Sequence, residues 1–320
     1  MIAGALLPAA AAAQTPPAQV TVPVTFRDFR GSDLPAGHPD FENASGIETG
    51  IVENRLGPDG KPVYAKTTGP SVTTHGQAAF DQWYRDVPNV NLTYAQALSF
   101  VRDDHGRYVH DNRAFFPLDG AGWVAKGDEP PRNGNHNYSF TTELRTEFRY
   151  TGEETVEFTG DDDAFVFVNG RLVVDLGGVH GPLTGSVTLA DVADALGLKP
   201  GGVYDLDLFH AERQSTQSAF VLTIPQPGFP AGTATLPASG RVGDTITCTA
   251  AGWPQDATLI YEWLRDGEVI AGADTAMRTL MAADAARKLS CRVTATRRTS
   301  AVAESAPLLV SKAPDGPPAD

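Results

Sequence analysis

The sequence predicts a mainly β protein: an antiparallel β-sandwich with a few short helices in insertions, followed by a second, smaller β-sandwich. Three observations carry this prediction. Pro and Gly number 24 and 32 in 320 residues, cutting the chain into short runs as turn-rich sheet proteins do. Long amphipathic helical patterns are scarce, while 41% hydrophobic residues supply enough apolar surface for two cores. The third is a hairpin signal inside Thr155–Leu176, TVEFTGDDDAFVFVNGRLVVDL. The runs Ala164–Val168 and Arg171–Leu176 flank Asn169-Gly170, a pair that tolerates φ > 0 at both central positions and suits a two-residue turn.

The remaining elements follow in chain order. The opening residues, MIAGALLPAAAAAQ, read as the end of a secretory signal cleaved after Ala13, although the basic n-region is missing. That apolar stretch is too short to span a bilayer, and no other transmembrane segment is seen. The expected destination is therefore outside the cell, secreted or at the cell surface. Residues 1–19 form a signal remnant and linker, and Val20–Arg27 predicts a first strand that Pro23 confines to an edge or a bulge. The loop 26–43 carries His38, Asp40 and Glu42, a trio able to bind a metal but more simply read as polar loop side chains.

Asn54–Gly76 reads as a long surface excursion. Gln77–Asp86 and Thr93–Asp103 have helical spacing: Phe80, Trp83 and Tyr84 fall at i, i+3 and i+4, and Thr93 suits an N-cap. The aromatics are expected in the core. Tyr138–Tyr150 predicts a strand, and the central hairpin follows. Gly177–Gly181 is a tight loop in which Gly177 and Gly178 serve backbone geometry. Then come a strand at Gly185–Leu189, a short helix at Asp191–Leu196 ended by Gly197 and Pro200, and a strand at Val203–Phe209. A polar loop, His210–Ser218, leads to a closing strand, Ala219–Ile224.

Pro225, Pro227 and Pro230 mark a boundary, so the first domain is set at residues 20–228 and the second at 231–312, with 313–320 a disordered tail. Beyond the boundary, Thr235–Ala251, Leu259–Arg265, Met277–Met281 and Leu289–Thr296 predict short strands at close intervals. Cys248, Trp263 and Cys291 stand in the order and rough spacing of an immunoglobulin-like sandwich, with Trp packed against an inter-sheet disulfide. Two distant thiols do not make a zinc site, so a single disulfide in an exported domain is expected. By loop closure it is worth roughly 4 kcal/mol. The phrases YEWLRDGEVIAG and LSCRVTAT resemble bacterial immunoglobulin-like modules of exported proteins, which implies a spacer and a bacterial source.

Net charge is −14, which argues against nucleic acid because phosphates would be repelled. The charge is uneven: residues 151–220 hold twelve acids against Arg171, Lys199 and Arg213. Within that stretch Asp161, Asp162 and Asp163 are consecutive just before a strand. Three like charges there repel one another and disfavour strand geometry. Alone, the triplet reads as a solvated acidic turn. A cation among the carboxylates would remove the penalty, and hard oxygen ligands suit Ca²⁺.

The first domain resembles the fibro-slime family. The resemblance rests on VTFRDF, HPDFE, Trp83-Tyr84-Arg85-Asp86, FFPLDG, YSFTTELRTEFRY, GDDDAFVFVNGRLVVDLGGVH and YDLDLFHAERQSTQSAF, spread over about residues 20–225. That family is similar in turn to the larger protective-antigen-type β-sandwich of yeast flocculins, other adhesins and some glycosidases. In its lectin members, two adjacent Asp residues joined by a cis peptide hold a Ca²⁺ ion that also ligates sugar hydroxyls. The resemblance implies that Asp161 and Asp162 are that pair. It places Glu212 where flocculin-like members have a ligating Asn, and implies that the backbone carbonyls of Gln214 and Thr216 complete the set. Asp163 stands where lectin members have Gly or a small residue. Asp163, His180, Arg213 and Gln217 are expected beside the bound ligand.

The function expected is therefore an exported, calcium-dependent carbohydrate-binding module, adhesive or matrix-forming, on an immunoglobulin-like spacer. The alternative is a structural module that binds extracellular protein and uses calcium only for stability. A glycoside hydrolase is the weakest reading, since no HExxH, GxSxG or phosphate-loop motif occurs and no carboxylate pair is singled out.

Overall fold

Alternating burial in the first strand shows how the larger unit is built. In β1 (Gln19–Asp28), Val22, Val24 and Phe26 are buried on one face. In the computed structural model, which describes residues 16–68 and 70–312, the chain is 42% strand and 8% helix. The leader and the tail read from the sequence lie outside the described residues.

The first unit continues with β2 (Gly46–Ile47), β3 (Leu92–Arg102), β4 (Tyr108–Asn112), β5 (Phe140–Arg149) and β6 (Thr155–Gly160). The central hairpin is β7 (Asp163–Val168) and β8 (Arg171–Leu176), followed by β9 (Gly178–Val179), β10 (Leu183–Thr188), β11 (Val203–Glu212) and β12 (Phe220–Ile224). Helices are short: α1 (Gln77–Phe80), α2 (Gly122–Lys126) and α3 (Leu189–Leu196). Ten strands form one antiparallel sheet in the order β10-β6-β12-β4-β3-β1-β5-β11-β7-β8. Its two ends come together, because a Cβ on Gly185 of β10 would sit 2.5 Å from Val174 of β8. The sheet thus folds over an inner core that includes Phe26, Phe100, Phe140, Phe158, Leu208 and Phe220.

Strand β7 is buried along its whole length. Ala164, Val166 and Val168 face that core, while Phe165 and Phe167 join a second cluster with Phe209 and Ala211. The second cluster is roofed by Phe29, Phe41, Ile51, Phe80, Trp83 and Tyr84 from the long N-terminal loops. A strand covered on both faces needs a continuous apolar run, and AFVFV supplies it. The turn after it is formed as expected, with Asn169 at φ 49° and Gly170 at φ 70°.

Several sequence expectations are corrected. Thr93–Asp103 is not helical: all of it but Asp103 lies in β3. Leu92–Val101 pairs with β1 residue by residue, and Leu98 and Phe100 face the core at a spacing of two. Thr93 donates to Asp86 rather than capping a helix. Helix α1 ends at Phe80, although the aromatics of 80–84 are core as expected. Pro23 lies in the half of β1 that pairs with β3 alone, since pairing with β5 begins at Val24. Strand β11 runs three residues beyond Phe209, because Glu212 still pairs with Phe140 of β5.

The second unit holds β13 (Thr233–Thr235), β14 (Thr245–Thr247), β15 (Thr249–Ala251), β16 (Thr258–Arg265), β17 (Glu268–Val269), β18 (Met277–Thr279), β19 (Lys288–Thr296), β20 (Ser300–Glu304) and β21 (Leu308–Leu309). The single strand expected at Thr235–Ala251 is broken into pieces by the turn at Gly243, φ 98°. The Cys248–Cys291 disulfide is formed, and both cysteines pack with Trp263 in a separate core. The turn between β19 and β20 reaches the first unit. Arg297 pairs with Glu147 at 3.1 Å, Arg298 pairs with Asp205 at 3.0 Å and also with Asp207, and Thr299 donates to Glu147 through N–H and hydroxyl at 2.7 and 2.6 Å.

Asp28 at the end of β1 is fully buried and accepts hydrogen bonds from Trp123 N–H and Asn137 Nδ2, each at 2.6 Å. Burial outweighs those bonds and pushes its carboxyl up to about 7. A folded pKa above the unfolded one means that this stability is complete below about pH 4 and is lost as pH rises through about 7. Asp28→Asn is expected to remove up to about 4 kcal/mol of that pH dependence, read from urea unfolding between pH 4 and 8.

Candidate functional site

The site lies at the end of the sheet where β6 turns into β7. A cis peptide joins Asp161 and Asp162, and the three acids diverge from there. Asp161 faces the segment before β12: its N–H donates to Ala219 O at 3.3 Å and its Oδ1 accepts from Ala219 N–H at 2.5 Å. Asp162 is enclosed by backbone donors, His180 N–H at 2.9 Å on Oδ1 and Arg213 N–H at 3.0 Å on Oδ2. Asp163 takes the Arg213 side chain itself, accepting from Arg213 Nε at 2.6 Å and from Gly178 N–H at 2.7 Å.

The Asp163–Arg213 pair is fully buried. Arg213 also donates to the carbonyls of Asp40 and Thr73, at 3.1 and 2.7 Å, and its guanidinium lies 4.6 Å from the Trp83 ring. Both residues were expected beside a ligand; in the structure they pair with each other, closed to solvent, and together fasten the loops. Gly178 lets this happen. Its φ is +110°, and a Cβ there would sit 2.2 Å from Gly46 O.

What the brace leaves over is unbalanced. Glu212, the last residue of β11, is buried and accepts a long 3.4 Å bond from Gln214 N–H on Oε1, while the nearby Ser218 hydroxyl donates to Phe115 O at 2.7 Å. Its Oε2 and the Oδ2 of Asp161 are buried with no hydrogen-bond partner. Among the described residues, no Lys, Arg or His forms a salt bridge with Asp161, Asp162 or Glu212 (Arg213 reaches Asp162 by its backbone). Burial raises all three carboxyls: Asp161 upward, Asp162 to about 7, and Glu212 well above the usual range, with the charges of Asp162 and Asp161 adding to its rise. Beneath them His210 is buried, its pKa depressed to about 4, and its neutral ring donates from Nε2 to Asp161 O at 2.8 Å.

The donor chemistry fits a hard cation, which would satisfy the two orphaned oxygens and screen the three charges. The carboxylates alone do not form a cage, for among the described residues no group of three acidic, imidazole or thiol side chains stands ready to hold an ion. Backbone oxygens would have to share in the coordination. Gln214 O currently accepts from Thr216 N–H at 2.9 Å, and Thr216 and Gln217 are exposed. His180 is half-buried with its ring nitrogens 2.9 and 3.3 Å from the carbonyls of Gly181 and Leu176.

The trio His38, Asp40 and Glu42 does not converge. His38 Nε2 meets Ala79 O, Asp40 accepts from His75 and Trp83, and Glu42 accepts from Ser215 at 3.0 Å. Sequence reasoning missed that Glu42 steadies the 213–216 loop, also donating its N–H to Arg213 O. It missed too that Ala219 holds Asp161 from both sides. Neither contact has a local sequence signal, since both join segments far apart in the chain.

Arg213→Met leaves Asp163 buried without its partner and is expected to destabilise the fold by about 3–5 kcal/mol. Asp161→Asn, which removes an unpaired charge, is expected to leave stability unchanged or raised without added metal. Urea unfolding of the two variants at pH 7.5 measures the contrast.

Residues 102–230 match the PA14 domain family. Among curated relatives, the proteins psiR and psiQ of Dictyostelium discoideum are each 38% identical, over 197 and 195 residues, covering 58% of this chain and 19% of each relative. The protein psiD of the same organism is 35% identical over 189 residues and is covered to 37%. The chain thus spans about a fifth of the length of psiR and psiQ. These relatives are eukaryotic and lend the expected bacterial source no support. A solved β-glucuronidase of Ruminococcus gnavus aligns with 64% of this chain and 45% of its own, at 13% identity and a TM-score of 0.20. Among the described residues no helix is long and apolar enough to cross a membrane. In sequence, residues 102–230, which carry the strands from β4 to β12 of the ten-stranded sheet, are similar to the PA14 domain, the protective-antigen-type fold that the motifs imply.

Proposed function

We propose that this chain is a calcium-dependent carbohydrate-binding module of the adhesive or matrix type, acting outside the cell, with the second unit as an immunoglobulin-like spacer. The observation that carries the reading is the pair of orphaned, buried oxygens on Asp161 and Glu212 beside Asp162, three carboxyls that have no side-chain salt-bridge partner among the described residues. Asp161, Asp162 and Glu212 would hold the ion, with the carbonyls of Gln214 and Thr216. A bound Ca²⁺ accepts six to eight oxygens at about 2.3–2.6 Å, so positions beyond the protein's own oxygens suit vicinal sugar hydroxyls. The match to the PA14 domain, together with the likeness to sugar-binding adhesins, supports carbohydrate as the ligand.

The chain's own residues set the geometry. Ala219 and His210 fix Asp161 at its carboxylate and carbonyl, while His180 and Arg213 N–H groups fix Asp162. Exposed Thr216 and Gln217 lie on the loop that a sugar would meet first. One observation favours the structural alternative, in which calcium only stabilises and the partner is a protein: both oxygens of Asp162 are already occupied by backbone donors.

Calcium titration by calorimetry on the whole chain is expected to give saturable binding that Asp161→Ala/Asp162→Ala abolishes. A glycan array with and without chelator should then show calcium-dependent binding. Calcium binding that raises the melting temperature without any glycan signal would favour the structural alternative. No binding by the wild type would sink both.

A second expectation concerns Glu212. Glu212→Gln should raise the melting temperature in chelator at pH 7.5, and the same variant should lose the calcium-dependent rise seen in the wild type. Because Glu212 has a raised pKa, the gain in chelator should shrink as pH falls and the wild-type carboxyl becomes neutral.

A further inference from the structure

Beside the carboxylate cluster lies a cleft of about 470 Å³, within the 300–1,000 Å³ range of small-molecule sites. The two share a wall: Thr216–Ala219 lines the cleft, and Ala219 N–H is the donor to Asp161 Oδ1. Opposite that wall, Phe116 and His136 stack with centroids 3.7 Å apart and planes within 5°. Tyr138 meets Phe116 edge-on at 5.0 Å. His136 Nδ1 lies 2.6 Å from Asp119 Oδ2; a carboxylate can only accept, so Nδ1 carries the hydrogen and the lone pair of a neutral ring is at Nε2. Gly134 allows the close packing of that ring, since a Cβ there would sit 2.9 Å from His136 Cδ2. Exposed Arg113 and Gln217 add polar groups at the rim.

We infer that this cleft is a second subsite, in which the ring of a neighbouring sugar unit seats on the Phe116–His136 platform, so that the module takes a saccharide of at least two units. The inference rests on the carbohydrate reading above. A pyranose presents an apolar C–H face and a polar edge. The cleft offers aromatic surface with hydrogen-bonding groups around it, the combination that fixes both orientation and affinity in small-molecule sites. A ligand unit at the carboxylates leaves the platform uncovered, and a linked second unit would cover it.

The test is calorimetry on the whole chain in calcium, with glucose, galactose and mannose against cellobiose, maltose, lactose and mannobiose. At least one disaccharide is expected to bind about three- to tenfold tighter than its component monosaccharides. Phe116→Ala should remove that advantage, leaving calcium affinity and monosaccharide affinity unchanged; Arg113→Ala, on an exposed side chain of the same cleft, should reduce it without touching the fold. Calcium-dependent monosaccharide binding with no gain from the second unit, or a gain that survives Phe116→Ala, would overturn the inference alone. Calcium binding without any saccharide binding would overturn the carbohydrate reading and the inference with it.

Discussion

The arrangement depends on one buried ion pair, Arg213 with Asp163. Neither side chain touches solvent, and a charge in such a place is tolerated only when paired and hydrogen-bonded. Arg213 meets both demands by drawing in the carbonyls of Asp40 and Thr73 and the face of Trp83. Three segments distant in sequence therefore close over the outer face of β7 and β11. Without that closure Phe165, Phe167 and Phe209 would lose their cover, and the 213–216 loop its anchor.

The brace also explains how the aspartate triplet divides its work. Only Asp163 belongs to β7, and it pairs with Arg213 and accepts from Gly178, while Asp161 and Asp162, which precede the strand, take their hydrogen bonds from the backbone of Ala219, His180 and Arg213. Asp162 is held by two backbone donors, and Asp161 keeps one oxygen free. The same guanidinium that fastens the loops makes its salt bridge to Asp163, so Asp161, Asp162 and Glu212 are left without a salt bridge among the described residues. Stability and the candidate site are separate consequences of three adjacent residues.

Much of the fold was legible because its signals are local. Asn169-Gly170 needs only its own backbone freedom, and the Cys248, Trp263 and Cys291 order reflects one small core. The failures are where tertiary pairing overrides local pattern. Thr93–Arg102 has helical spacing, yet β1 offers it a full set of backbone partners, and Leu98 and Phe100 then fall on one face. Glu212 reads as a loop residue until β5 extends β11 past Phe209. At the site, the carboxylates stood out as an acidic run, but which of them is braced and which is orphaned depends on Arg213, Ala219 and Glu42. That sorting has no signature in the spacing of the residues.

The central claim is that the surplus charge around Asp161 and Glu212 is there to meet a metal ion. The most direct measurement is anomalous diffraction from crystals of the whole chain grown in calcium. The account predicts a peak within bonding distance of Asp161 Oδ2 and Glu212 Oε2, with protein oxygens at about 2.3–2.6 Å. No peak, with those two oxygens instead hydrogen-bonded through a shared proton, would contradict it.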